Sequence, residues 1–268
     1  MDKAELLELG VLPSEKVRDA LNAGDFAQAL ALCDNLAKEY VLMHKGLRIV
    51  VELLLPYNEQ VFRREQAAIG ERIKAAVAAR DKDTALRLIE EKRERQYRPI
   101  HDAMIDFKVG TYDYVLPHYG EQQLYDCQRY LVEGQRSGFE KWERATVEDH
   151  LRAAIFIFAL HLGKTTVAED DEKYIVTLDP CGTGGKMART GQVQPEGRHA
   201  RVANAQPMTF QRPNFPAYCA HCAVWNEISP IEWFGHPQWV FEPWRQPADP
   251  CHWYLYKDPN DIPEAHWT

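Results

Sequence analysis

The stretch "KYIVTLDPCGTGGKMAR", Lys173–Arg189, lies where the character of the sequence changes. Its first part alternates apolar and polar residues, which predicts a β-strand ending near Leu178. Before it, the spacing of apolar residues is that of helices. After it the chain is rich in turns, because twelve of the sixteen prolines and six of the seven tryptophans lie beyond residue 179. We therefore predict an α+β protein, with a helical domain over residues 1–165 and a small, irregular β module over residues 166–268.

The glycines of this stretch do not form a nucleotide-binding loop. A P-loop requires a glycine five residues before the Gly-Lys pair and a serine or threonine after it. Pro180 stands at the first of these positions and Met187 at the second. No amphipathic helix opens after the glycines, which argues against a dinucleotide-binding turn. The residue of chemical interest here is therefore Cys181.

The helical region contains an internal similarity. The segment "VRDALNAGDFAQALAL", residues 17–32, aligns with "IKAAVAARDKDTALRL", residues 73–88, and matches Asp25 with Asp81 and Ala29 with Ala85. We interpret this as a duplicated helical hairpin within a helical bundle, since two copies are too few for a solenoid. Chance similarity between amphipathic helices is the alternative.

Four of the six cysteines lie in the β module, and two of them have metal-ligand spacing. Cys219 and Cys222, in "YCAHCAVWNE", have the C-x-x-C spacing of two thiolates that bind the same tetrahedrally coordinated ion. Cys181 and Cys251 would complete a four-cysteine site that holds the irregular module together. Zinc is the expected metal, and an iron–sulfur cluster accepts the same ligands. The alternatives without a metal are a redox dithiol of Cys219 and Cys222, or four buried, unpaired thiols.

The candidate catalytic residues lie next to this pair of cysteines. We predict that His221 transfers protons and that Glu227 acts as a general base. Lys186 and Arg189 are the candidates for binding an anionic group of the substrate. Each also has a structural interpretation, since His221 could simply support the metal site and the two cations could be solvated surface charges.

Composition restricts the class of protein. The formal net charge of -8 argues against a nucleic-acid-binding surface. The N-terminal segment "MDKAELLELG" lacks the pattern of a secretory signal, and no apolar run is long enough to span a bilayer. We therefore expect a soluble, cytoplasmic protein with a small-molecule substrate. The oligomeric state does not follow from the sequence.

Several segments resemble a known group of proteins. "AGDFAQALALCDNLAKEY", "YRPIHDAMIDF" and "YGEQQLYD" in the helical region, with "PCGTGGK", "YCAHC" and "DPCHWYLYKD" after it, are similar to the L-2-amino-thiazoline-4-carboxylate hydrolase-like proteins. The resemblance implies a helical region joined to a part with scattered cysteines. It also implies a hydrolase-like activity, without assigning a catalytic residue.

The sequence thus predicts a metal-dependent, hydrolase-like enzyme with its pocket between the helical region and the β module. A binding or assembly protein with a structural zinc is the first alternative. A dithiol redox protein is the second.

Overall fold

A computed structural model describes residues 11–267, apart from the side chains of residues 37–40, 42–44, 46–47, 50 and 54. The N-terminal decamer that we interpreted as lacking a signal lies outside the described residues. The internal contacts of the chain divide it into two units, Met1–Tyr97 and Arg98–Thr268. No described helix is both long and apolar enough to cross a membrane.

The first unit is helical. Its helices are α1 (Pro13–Asn22), α2 (Phe26–Cys33), α3 (Leu36–Ala78) and α4 (Lys82–Glu91), followed by a π-helical turn at Lys92–Tyr97. Among its described side chains, a small buried apolar cluster contains Ile69, Ala76, Ala85 and Leu88.

The internal similarity corresponds to repeated local structure in this unit. Asp25 caps α2 by accepting the N–H of Gln28 at 2.9 Å, and Asp81 caps α4 by accepting the N–H of Thr84 at 3.0 Å. Such aspartate caps satisfy backbone donors that the first turn of a helix leaves free. Each hairpin also buries one alanine at the matching position of its second helix, Ala29 and Ala85.

The second unit is α+β. Its long helices are α5 (Arg98–Glu133), α6 (Arg136–Glu143) and α7 (Val147–Leu160). Helix α5 is interrupted at Gly120, where φ is 88° and the backbone leaves the helical conformation. Helix α7 begins after Thr146, whose side chain accepts the N–H of Asp149.

Most of the strands of this unit form one antiparallel sheet. Its strands are β1 (Thr165–Glu169), β2 (Lys173–Leu178), β5 (Val240–Glu242) and β6 (Cys251–Tyr256), in the order β1-β2-β6-β5. A separate pair consists of β3 (Arg201–Val202) and β4 (Phe215–Pro216), and two short helices, α8 (Gly184–Arg189) and α9 (His221–Ala223), lie between strands. After α9 the chain continues through a π-helical turn at Val224–Ile228 into α10 (Ser229–Phe234). The strand predicted in "KYIVTLDP" is confirmed as β2.

The change in sequence character at residue 165 lies inside the second unit. There it separates three helices from the sheet and its loops. One core joins the two parts, since Val109 and Leu124 of α5 belong to the same buried cluster as Val176, Trp239 and Trp253 of the C-terminal part.

The long segment between α8 and β4 is held by side chains of α5. The Glu121 carboxylate accepts the backbone N–H groups of Ala203 and Asn204 and the side-chain amides of Asn204 and Gln206, at 2.7 to 3.1 Å. Asp113 accepts the Nδ1–H of His199 at 2.7 Å and a backbone N–H at 2.8 Å. These hydrogen bonds account for the order of a segment with little secondary structure.

Candidate functional site

The four predicted cysteine ligands converge in the second unit. Cys181 follows β2, and Cys251 opens β6, where it is paired with Leu178 at the end of β2. Cys219 lies in the turn before α9, and Cys222 lies within that short helix. Each of the four thiols interacts electrostatically with the other three. We call these four residues the cysteine cluster.

The glycines after Cys181 allow this convergence. A Cβ at Gly184 would lie 2.6 Å from the Sγ of Cys219, and a Cβ at Gly185 would lie 3.0 Å from the Cβ of Cys181. A side chain at Gly184 would therefore collide with a buried thiol. The conspicuous glycines of "PCGTGGK" make room for two cysteines.

Burial dominates the chemistry of these thiols. It raises the pKa of Cys219 to about 12, and it raises the pKa values of Cys222 and Cys251 as well. The neighbouring thiols add to the effect, because two adjacent thiolates repel each other. All four are free cysteines. In this structure Cys219, Cys222 and Cys251 are therefore protonated at neutral pH.

The role of the cysteine cluster as a metal site stays a prediction. Among the side chains that the structure describes, no group of three or more histidine, cysteine or acidic side chains is arranged to hold a metal ion. The four predicted ligands are neighbours, and a bound zinc would require them to form a compact tetrahedral set of thiolates.

A second polar cluster lies beside the thiols and is centred on a lysine of α5. The Nζ atom of Lys108 lies 4.0 Å from the ring centroid of Trp225, 5.4 Å from that of Tyr218 and 5.9 Å from that of Tyr112. His161 and His221 interact electrostatically with Lys108, and the ring of His101 packs against that of His161. The Lys108 cluster consists of His101, Lys108, Tyr112, His161, Tyr218, His221 and Trp225.

The charge of Lys108 is poorly compensated. Burial lowers the pKa of its amine to about 8, and the thiols of Cys222 and Cys127 act in the opposite direction. No carboxylate forms an ion pair with Lys108 in the described part of the chain. Aromatic faces attract a cation more weakly than a carboxylate does when the site is dry. The amine is therefore available to an anionic partner.

Several polar atoms of the Lys108 cluster are buried without a partner. Within residues 11–267, no hydrogen bond reaches the Nε2 atom of His101, the hydroxyl of Tyr112, the Nδ1 atom of His161 or the Nε1 atom of Trp225. Unsatisfied buried polar groups are rare in native proteins, because each costs about 1–3 kcal/mol. Their concentration around one amine is typical of a site that binds water or a ligand.

His221 is held in one orientation within this cluster. Its Nδ1 atom contacts the carbonyl oxygen of Tyr218, so Nδ1 carries the hydrogen and donates it. Its Nε2 atom lies 3.8 Å from the Sγ of Cys222. Burial and then the charge of Lys108 lower the pKa of His221 well below its ordinary value. The imidazole is therefore neutral, with the lone pair of Nε2 beside a thiol.

Glu227, the second predicted catalytic residue, lies elsewhere. Its Oε1 atom accepts the backbone N–H of Phe241 at 2.7 Å, and the residue lines a separate cavity. Burial raises the pKa of this carboxyl group to about 8. No contact joins Glu227 to His221 among the described residues, so the structure does not bring the two predicted catalytic groups together.

The two predicted substrate-binding cations differ in their surroundings. The Nζ atom of Lys186 lies 3.8 Å from the carboxylate of Asp102, which also accepts a hydrogen bond from the Nδ1–H of His101 at 2.9 Å. Lys186 therefore lies at the exposed margin of the Lys108 cluster. Arg189 bonds to Asp179 and to the carbonyl of Ala248, so its guanidinium already has partners.

Lys108, Tyr112 and Trp225 were not predicted as site residues from the sequence. A signal for the first two was present, since His101, Ile105, Lys108 and Tyr112 follow one another at intervals of four, three and four residues. These intervals place them on one face of a helix, and three of the four are buried. A lysine within such a buried stripe indicates a functional residue or a satisfied ion pair.

The comparisons with known proteins give no match. No protein-family model matches the chain, and no curated protein and no solved structure is significantly similar to it. Any functional conclusion therefore depends on the chemistry of these residues.

Proposed function

We propose that this protein is a hydrolase-like enzyme that acts on a small molecule through the Lys108 cluster and the adjacent thiol of Cys222. The supporting observation is the orientation of His221, with Nδ1–H donating to a carbonyl and Nε2 lying 3.8 Å from the Cys222 sulfur. A nucleophile, a base and a group that orients the base are the parts that covalent hydrolysis requires. Catalytic hydrogen bonds are often long before substrate binds.

In the proposed reaction, Cys222 attacks an acyl or imidoyl carbon. The Cys222 Sγ–H proton passes to His221 Nε2 as the carbon–sulfur bond forms, and the same proton then goes to the leaving group as its bond to carbon breaks. Water hydrolyses the resulting thioester, or the thioimidate in the imidoyl case, and restores the thiol. The ammonium of Lys108 lies near Cys222, where it would stabilise the negative charge that develops during the attack.

The hydrolytic class of this proposal is the one predicted from the resemblance to L-2-amino-thiazoline-4-carboxylate hydrolase-like proteins, although no family model matches the chain. Lys186 and Asp102 at the exposed margin of the cluster would receive the substrate.

The test uses p-nitrophenyl acetate as a general acyl donor. We expect the wild type to release nitrophenol and to carry an acetyl group on Cys222 that hydroxylamine removes, since hydroxylamine cleaves thioesters and leaves acetyl-lysine intact. Cys222→Ala should abolish the hydroxylamine-sensitive acetylation of the peptide that contains residue 222. His221→Ala should slow the release of nitrophenol by about a hundredfold or more. Cys33→Ala, which removes an exposed thiol of the first unit, is the control. Unchanged release in both Cys222→Ala and His221→Ala would refute the proposal.

The second candidate function is a binding or assembly protein with a structural zinc. The observation in its favour is the mutual proximity of Cys181, Cys219, Cys222 and Cys251, which a bound ion could draw into a tetrahedral set. A zinc held there would neutralise the thiolates and connect β2, α9 and β6. It would also occupy the sulfur that the first proposal uses as a nucleophile.

Metal content separates the two candidates. Plasma mass spectrometry of freshly purified protein is compared with that of Cys181→Ser and Cys222→Ser. One zinc per chain in the wild type, lost in both variants, would favour the structural site over the nucleophile. Iron with visible absorbance would indicate a cluster. Protein without metal but with a reducible Cys219–Cys222 bond would favour the redox dithiol.

A further inference from the structure

A cavity of about 780 Å³ lies at the β5 edge of the sheet and is separate from the Lys108 cluster. None of the seven residues of that cluster is among the residues described as lining it. Its walls combine aromatic and charged side chains, including Phe210, Arg212, Glu227, Phe241, Arg245 and Tyr254. The volume is within the range of small-molecule sites.

Glu227 is the unusual residue of this cavity. Its carboxyl group comes from the π-helical turn after α9, and one oxygen accepts the backbone N–H of Phe241. Burial is the main cause of the raised pKa of this group, and only that backbone N–H acts against it. No lysine, arginine or histidine forms an ion pair with Glu227 among residues 11–267. The side chain is half-buried, and its carboxyl group is mostly protonated at neutral pH, because the charged form is costly there unless a cation compensates it.

The two arginines of the cavity are engaged with other groups. Arg245 pairs with Glu242 at 3.1 Å, and Glu242 also accepts the hydroxyl of Tyr254 at 2.9 Å. Arg212 donates to the carbonyl of Trp244 at 2.7 Å and packs over the rings of Phe215 and Trp244. The charges of Arg245 and Glu242 cancel each other. Arg212 keeps its positive charge, and Glu227 is the carboxyl group of the described lining that lacks a counter-ion.

The cavity combines aromatic side chains with the carboxyl group of Glu227. Phe210 and Phe241 pack together with their ring centroids 5.1 Å apart, and both line the cavity with Tyr254. Aromatic faces attract cations, and an anionic side chain at the same site adds a direct ion pair. We propose that this cavity binds an organic ammonium ion with an apolar body, with Glu227 as its counter-ion and Phe210, Phe241 and Tyr254 as its walls.

Three probes of similar shape and different charge test the proposal on the full chain. Isothermal titration calorimetry is carried out with phenethylamine, 2-phenylethanol and 3-phenylpropionate. The amine should bind at least about tenfold more tightly than the alcohol, since a hydrogen bond between charged groups is stronger than one to a neutral hydroxyl. Equal binding of the amine and the alcohol, preferential binding of 3-phenylpropionate, or no binding of any probe at millimolar concentration would each overturn it.

Two variants locate the binding site. Glu227→Gln keeps an oxygen for the Phe241 N–H and removes the charge, so the preference for the amine over the alcohol should disappear. Phe210→Leu keeps the charge and removes an aromatic wall, so amine binding should weaken several-fold. It also provides a test if Glu227→Gln does not fold. Glu71→Gln, at an exposed carboxylate of the first unit, is the matched control and should bind as the wild type does. Undiminished amine binding in folded Glu227→Gln or in Phe210→Leu would place the site elsewhere and refute the assignment.

Discussion

Two buried histidine clusters of the second unit differ in one respect. At His150, the Nε2 atom accepts the indole N–H of Trp239 at 2.9 Å, and the ring stacks on Trp142 with a centroid separation of 5.2 Å. In the Lys108 cluster, by contrast, His101 and His161 each have a buried nitrogen for which the described residues provide no partner. Both clusters are buried or half-buried, so burial by itself does not distinguish them.

The difference separates a structural role from a functional one. A satisfied polar group in a core contributes to stability and to a unique packing arrangement. A set of unsatisfied groups around a poorly compensated amine reduces stability and is retained when a ligand or a reaction uses it. The comparison therefore predicts opposite responses to mutation in the two places.

The largest expected effect is on the rate of hydrolysis in Lys108→Met. Removing the ammonium should slow the release of nitrophenol by about a hundredfold to a thousandfold, as loss of one charge-stabilising donor does in other acyl-transfer sites. The free energy of unfolding should stay constant or increase, because a desolvated charge is replaced by an apolar side chain of similar length. Urea titration and nitrophenol release are measured on the same preparation. A large loss of stability with unchanged activity would assign Lys108 a structural role.

The pH dependence of stability tests the satisfied cluster. Burial lowers the pKa of His150 to about 4, and a carboxylate at Glu143 opposes this effect. Below about pH 6.5 the unfolded chain takes up a proton that folded His150 does not. The contribution of neutral His150 to the free energy of unfolding is therefore complete above about pH 6.5, and it is lost as the pH falls to about 4. This change amounts to about 3 kcal/mol.

His150→Gln isolates that contribution. Its free energy of unfolding should fall less than that of the wild type between pH 6.5 and 4, while carboxylates contribute equally to both proteins. Chemical denaturation at several pH values measures the difference. Parallel stability curves for the two proteins would contradict the buried, neutral state of His150.

A third test uses the satisfied carboxylate of Glu121. Burial alone would raise the pKa of Glu121, but hydrogen bonds from Asn204, Ala203 and Gln206 outweigh it and lower the pKa. Glu121→Gln should reduce the free energy of unfolding by about 2 kcal/mol at neutral pH. The pKa of Glu121 is lower in the folded protein than in the unfolded chain. Its contribution to the free energy of unfolding is therefore present above the unfolded-state pKa and disappears as the pH falls through the folded-state pKa. The difference between wild type and variant should shrink accordingly.

The control for this test is Glu196→Gln, since Glu196 is an exposed carboxylate in the segment that Glu121 holds. It should unfold like the wild type. An equal loss in both variants would show that the net charge of the segment matters more than the hydrogen bonds of Glu121.

The smallest expected effect is at Tyr112, whose hydroxyl is buried and without a partner in the described structure. Tyr112→Phe should change the free energy of unfolding by no more than about 0.5 kcal/mol, or increase it slightly, because no hydrogen bond is lost. Trp239→Phe, which removes the donor to His150, should cost about 1 kcal/mol or more. Thermal unfolding of both variants gives the comparison, and a larger loss at Tyr112 than at Trp239 would reverse our interpretation of the two clusters.

The sequence determined the local elements of this protein. The alternating strand at residues 173–178 depends on neighbouring residues alone, and the structure has it where it was predicted. The matched residues Asp25 and Asp81 of the internal similarity cap α2 and α4 through equally local hydrogen bonds. The choice of Cys181, Cys219, Cys222 and Cys251 as one group also came from the sequence, and the fold brings the four together. Their role as metal ligands stays a prediction.

Tertiary structure decided where the chemistry lies. The sequence placed His221 and Glu227 six residues apart, but the π-helical turn and the sheet direct them to different sites, one beside Cys222 and the other in the cavity with Phe241. Lys108 is distant in the chain from every cysteine of the cluster, and only the packing of α5 against the C-terminal part brings its amine to Trp225. Local patterns define caps and strands because their interactions span a few residues, whereas the desolvation of a charge depends on every segment that folds around it.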